Sequence, residues 1–167
     1  MKFSVIDFVY NQCTTSINNL TILMYLTNVY STAYTYYSFL YTTPPGTTKT
    51  TIVFSFLHRP TWWFLDNIQV YDLVTFNTVN TDGSFEANNL YASYTVCTLP
   101  DSNPSTGGEL SPYGCRVGFY CYLDSTMTEP DYLIQSFNTV PERAHTISYW
   151  ISQYGGTPNM AIFMVGH

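Results

Sequence analysis

The residues of this chain best suited to chemistry are a few tryptophans and carboxylates set where ordinary core packing does not put them. Across His145–Ile151, Ile147, Tyr149 and Ile151 share an apolar face, which leaves Trp150 on the opposite face with Thr146 and Ser148. A tryptophan among hydroxyls on a sheet surface is a platform on which a sugar ring stacks. The same pattern also describes a semi-exposed aromatic covered by a loop. Trp62 and Trp63 stand at the entrance of another strand. Neighbours in a strand point to opposite faces, so one is expected to anchor the core and the other to look outward. Asp66 alternates with Ile68 and Val70 and is therefore expected on the inward face. A carboxylate there is costly unless it is paired, bound to a cation or capping a turn through backbone amides.

Catalytic arrangements are harder to find. The chain contains no G-x-S-x-G, H-E-x-x-H or phosphate-loop motif. His58, His145 and His167 are scattered, and Glu86, Glu109, Glu129 and Asp131 pair as glycosidase carboxylates only by arbitrary choice. A non-catalytic protein is the expectation.

Composition narrows the partners. The 167 residues suffice for one well-buried core or two very small ones. Five Lys and Arg and a net charge of −6 leave no basic cluster for phosphate neutralisation or for an anionic membrane surface. Leu20–Leu26 is apolar but too short to span a bilayer. With 16 Tyr, 11 Phe and only 10% charged residues, the surface suits a neutral ligand such as a glycan, although most tyrosines belong to the core and to cross-strand pairs.

Four cysteines, Cys13, Cys97, Cys115 and Cys121, lack a zinc-site spacing. Three of them surround one Gly/Pro/Ser-rich loop, which predicts a disulfide among Cys97, Cys115 and Cys121. Cys13 is then left unpaired or joined to the third. With the sequon Asn19-Leu20-Thr21, the cysteines favour a secreted, extracellular protein. The apolar run after Met1 is interrupted by Asp7, Asn11 and Gln12, so no signal peptide is read there and the chain is read as a fragment.

The elements that must position these residues are strands. Tyr and Thr suit a pleated, half-buried surface, and Asn, Ser, Gly and Pro punctuate the runs. Strands are predicted at 34–41, 50–58, 64–71, 91–97, 118–123, 132–137, 145–151 and 161–165, while residues 1–25 carry no clear pattern. In the second of these, Ile52, Phe54 and Phe56 share one face and Thr51, Val53 and Ser55 the other. The second and third, broken at Arg59-Pro60, are expected to form an antiparallel hairpin. A faint repeat aligns 29–40 with 140–151 and puts Phe39 at the position matching Trp150.

Two motifs carry a family resemblance. Trp62-Trp63-Phe64-Leu65-Asp66-Asn67-Ile68-Gln69-Val70 resembles the W-x-L-D-D-V-x-V ending of carbohydrate-binding modules with the galactose-binding-domain-like jelly-roll fold. Asp82-Gly83-Ser84-Phe85-Glu86 resembles the N-G-x-F-E beginning of the same modules. The resemblance covers roughly 26–167 and departs at Asn67, where a second aspartate is usual, and at Asp82, where asparagine is usual.

Because the ending precedes the beginning, residues 1–73 read as the back half of one module and 74–167 as the front half of the next. The two halves are simply joined, or they close together as one circularly permuted sandwich. The resemblance implies an all-β antiparallel sandwich holding a neutral glycan, with Trp150, Phe39, Trp62 and Trp63 as binding candidates. It also implies structural Ca2+ at Asp66 and Glu86, with Asp82 as a third ligand. The alternative is a structural or adhesive repeat of a large extracellular protein, contacting neighbouring modules without a sugar site. An accessory domain of a glycoside hydrolase is a third reading.

Overall fold

The computed structural model describes residues 13, 17, 19–58, 62–98 and 107–167. The start of the chain at Met1–Asp7, the Arg59-Pro60 break and the first half of the 99–114 loop lie outside them. The strands, in chain order, are β1 Thr21–Thr27, β2 Thr32–Thr42, β3 Lys49–His58, β4 Trp62–Asp72, β5 Thr95–Cys97, β6 Glu109–Ser111, β7 Cys121–Asp124, β8 Asp131–Asn138, β9 Ala144–Tyr154 and β10 Asn159–Gly166. One helical turn, α1 (Leu90–Ser93), occupies the first part of the strand expected over 91–97.

The strands form two five-stranded antiparallel sheets packed as a sandwich. Sheet A runs β1-β10-β3-β8-β5 and sheet B runs β2-β9-β4-β7-β6. Strand β1 pairs with β10, β2 with β9, β3 with β8 and β4 with β7. This is the pairing of a long antiparallel ribbon rolled over on itself, the connectivity of a jelly roll. The first and last of the described strands are partners. In both sheets the first four strands alternate between 1–73 and 74–167, and the fifth, β5 or β6, comes from 74–167.

One expected pairing is corrected. Strands β3 and β4 do not form a hairpin, because β3 lies in sheet A and β4 in sheet B. Alternation fixes which face of a strand is apolar but not whether the next strand pairs beside it or crosses to the opposite sheet. Here crossing lets the apolar faces of both strands meet: Phe54 and Phe56 from β3 face Trp63 and Leu65 from β4 within one core. Tyr149 and Phe163 complete the centre, with Phe54 and Phe163 stacked at a centroid separation of 4.7 Å. Burying each such ring contributes roughly 2–3 kcal/mol.

The outer face of sheet A is apolar as well. Val53, Tyr132, Ile162 and Met164 form a second buried cluster under Cys13, Ile17 and Leu20. Cys13 is disulfide-bonded to Cys97, and Cys115 to Cys121. No helix among the described residues is long and apolar enough to cross a membrane.

Candidate ligand-binding groove

The site begins with an irregularity in β4. Asp66 pairs with Trp150 and Gln69 with Ser148, so β4 spends one extra residue between these pairs. Asn67 takes it up with a φ of 54°, a conformation asparagine adopts more readily than most residues. The bulge resets the alternation. Trp63, Leu65, Ile68 and Val70 all point into the core, and Asp66 points to the outer face of sheet B. The inward position expected for Asp66 is therefore corrected, for the bulge places it opposite to Ile68 and Val70.

Trp62, Phe64 and Asp66 thus share the outer face with Trp150, Ser152 and Tyr154 of β9. Asp66 is nevertheless buried, because the loop closed by the Cys115–Cys121 bridge lies over it. Its Oδ2 accepts hydrogen bonds from the backbone amides of Arg116 (3.0 Å) and Val117 (3.1 Å). Glu86 grips the same loop from its other side, its Oε1 accepting from the amides of Phe119 (2.9 Å) and Tyr120 (3.0 Å). Burial, and less strongly the charge of Glu86, push the Asp66 carboxyl above its usual range, against the loop amides that lower it. Two glycines make the fit possible. A Cβ on Gly118 would lie 2.1 Å from Glu86 Oε1, and one on Gly114 would lie 2.6 Å from the Phe64 ring.

The two family-like motifs do meet. Ile68 donates its amide to the Gly83 carbonyl at 2.7 Å, and a Cβ at Gly83 would lie 1.8 Å from the Ile68 oxygen. Asn80 extends the contact, accepting from the Val70 amide and donating to the Ile68 carbonyl. Phe85 is fully buried in the core. Asp66 and Glu86 hold loop amides and Asp82 Oδ1 accepts from the Ala87 amide at 3.1 Å, while Asp66 Oδ1 and Asp82 Oδ2 are buried without a hydrogen-bond partner. Among the described residues no three His, Cys, Asp or Glu side chains gather into a metal-holding group.

Beside the loop lies a groove of about 520 Å³, lined by Ser31, Thr32, Tyr34, Phe64, Ser152 and Gln153, with Trp62 and Tyr154 on its wall. Trp62 and Tyr154 are stacked, 17° from parallel with centroids 5.7 Å apart, and are 39% and 60% exposed. No described lining residue carries an acidic or basic side chain.

Of the four aromatic candidates, Trp62 stands in this groove. Trp63 is the core member of the pair, at 1% exposure. Trp150 is on the outer face as expected, but the Arg116 guanidinium covers one side of its ring at 3.6 Å and Tyr36 packs beside it at 5.1 Å. Phe39 turns inward, pairing with Ile147 and stacking on Tyr149, and Tyr36 is the residue opposite Trp150. The repeat that placed Phe39 with Trp150 joins positions on opposite faces. Tyr34, Phe64, Ser152 and Tyr154 were missed, although continuing the alternation of 145–151 to Tyr154 would have found the last two. Comparison with protein-family models, with curated proteins and with solved structures finds no match to the chain.

Proposed function

We propose that this sandwich is a non-catalytic, extracellular carbohydrate-binding protein whose ligand ring lies on the Trp62–Tyr154 platform. The observation that carries the reading is that stacked, exposed pair in a groove with hydroxyl and amide neighbours and without ionisable acid or base in its described lining. A pyranose ring presents apolar C–H edges to a flat aromatic surface and hydroxyls to Ser31, Thr32, Ser152 and Gln153. It needs no counter-charge. The groove is preorganised from two sides: Trp62 and Tyr154 sit on paired strands, and Gly114 is held against Phe64 by a disulfide-closed loop. Four paired cysteines are consistent with an oxidising, extracellular setting.

A glycan array probed with the folded protein tests this reading, followed by titration of any hit against Trp62→Ala and Tyr154→Ala. Each substitution is expected to weaken binding roughly tenfold. An array without a single hit, or variants that bind as the wild type does, would overturn it.

A structural or adhesive role has its own support in β2. This edge strand is eleven residues long, with neither proline nor charge, and it exposes Tyr36 and Leu40. Unprotected edges of this kind pair with other chains. Concentration-dependent self-association abolished by Leu40→Lys, together with a silent array, would select this reading over the first.

A further inference from the structure

We propose that Tyr122, Asp124 and Asp131 form a buried calcium site between the two sheets, ligating the ion through Asp124 Oδ2, Asp131 Oδ1 and the Tyr122 hydroxyl. Asp124 ends β7 in sheet B and Asp131 begins β8 in sheet A. Both are 0% exposed, as is Tyr122. Each carboxylate uses one oxygen conventionally: Asp124 Oδ1 accepts from the Thr126 amide and hydroxyl, and Asp131 Oδ2 accepts from the Gly108 amide at 2.9 Å. The other oxygen of each is buried without a hydrogen-bond partner, and so is the Tyr122 hydroxyl.

These three orphaned atoms belong to one place. The same Gly108 that binds Asp131 would, with a Cβ, put that atom 1.7 Å from the Tyr122 hydroxyl. The Tyr122 hydroxyl lies beside the Asp124 carboxyl without the geometry of a full hydrogen bond, Tyr122 also feels the charge of Asp131, and the hydroxyls of Thr98 and Thr126 lie beside Asp131.

Two facing carboxylates in a dry interior repel each other and forfeit their hydration unless something positive joins them. The one salt bridge found among the described residues, Arg143–Asp72, lies elsewhere. Carboxylate, phenol and threonine oxygens are a hard donor set suited to calcium. The contrast with Asp66 and Glu86 is one of degree: there two loop amides answer Asp66 Oδ2, a single oxygen, Oδ1, is buried without a partner, and Glu86 is exposed, whereas here three such oxygens gather in one place.

Thermal unfolding of the purified protein, stripped with EDTA and then given CaCl2, tests the site, with Tb3+ luminescence as a second readout. Calcium at a hundredfold excess over its dissociation constant is expected to raise the midpoint by roughly 5–10 °C. Asp124→Asn and Asp131→Asn should each weaken Ca2+ and Tb3+ binding by at least about tenfold, and Asp66→Asn should not change it. In EDTA the two Asn variants should melt no lower than the wild type, since they relieve repulsion, which separates lost binding from lost folding. If either fails to fold, Tyr122→Phe is the remaining probe and should bind Tb3+ more weakly than the wild type. No calcium shift and no Tb3+ signal from folded wild-type protein, or binding lost in Asp66→Asn and kept in Asp124→Asn, would overturn the proposal. A midpoint set by pH alone, unmoved by calcium, would show that the pair shares a proton instead.

Discussion

The outward residues of β3, β8 and β10 in sheet A and those of β4 and β9 in sheet B draw on the same apolar and aromatic side chains, yet one set is sealed and the other open. Val53, Tyr132, Ile162 and Met164 lie beneath Cys13, Ile17 and Leu20. Trp62 and Tyr154 lie beside a loop that covers Asp66 and stops short of them. Each face has its own disulfide, and the two bridges differ in reach: Cys13–Cys97 spans 84 positions and Cys115–Cys121 spans 6. A long covalent loop restrains the unfolded chain, whereas a short one mainly shapes the loop it closes. The sealed face is thus tied to stability and the open face to the geometry of a groove.

Removing the long bridge should have the largest effect. Cys13→Ser with Cys97→Ser is expected to cost about 4–5 kcal/mol in urea unfolding while leaving the affinity of any bound glycan unchanged. A loss of affinity with it would break the division between the faces.

Next comes the polar link between the sheets, where buried His58 at the end of β3 meets Gln153 of β9. Burial lowers the His58 pKa from 6.5 to about 4, so the folded state resists a proton that the unfolded chain accepts. Stability is unaffected by this group above pH 6.5 and falls as the pH drops from 6.5 toward 4. The loss amounts to about 3 kcal/mol relative to His58→Gln, measured by urea unfolding across that range.

Smaller in stability but larger in binding is the short bridge. Cys115→Ser with Cys121→Ser should cost about 2 kcal/mol in the same unfolding assay. It should also weaken the glycan at least about tenfold by calorimetry, because Gly114 and Arg116 lose their hold on Phe64 and Trp150. Trp62→Ala should move stability least, within about 0.5 kcal/mol, as expected of an exposed side chain whose role is contact. Its binding loss without a stability loss sets the other end of the comparison.

The all-β architecture was legible because Tyr- and Thr-rich runs are punctuated by Asn, Ser, Gly and Pro and the sequences of β3 and β9 alternate, and so was the outward Trp150. What was not legible has local causes. The face of Asp66 turned on a single extra residue at Asn67, and a bulge leaves the alternating letters on either side intact while inverting their meaning. The partner of β3 depended on a corner between strands, which residue periodicity does not encode. Strand β1 has one buried residue, Met24, in seven, and its Ile22–Leu26 run is apolar throughout, so no alternation marks a buried face. The acidic pair escaped notice because Asp124 and Asp131 flank a turn-like Ser-Thr-Met-Thr-Glu-Pro stretch, where aspartates are commonplace; only the roll brings both inside. The disulfide among three clustered cysteines was legible, and Cys97 as the partner of Cys13 was one of the pairings left open.

The pairing of β1 with β10 has a mechanical consequence. Thr21 stands opposite Val165, so a pull at the two ends of the roll would peel this pair one hydrogen bond at a time, the weakest way to load a sheet. The Cys13–Cys97 bridge changes the route of the force. Tension entering before Cys13 crosses the sulfurs directly to β5, and β1 through β4 are carried as an unloaded loop. Under reducing conditions the same pull would fall on β1 first, so the redox state of one bond decides which part of the molecule bears a load.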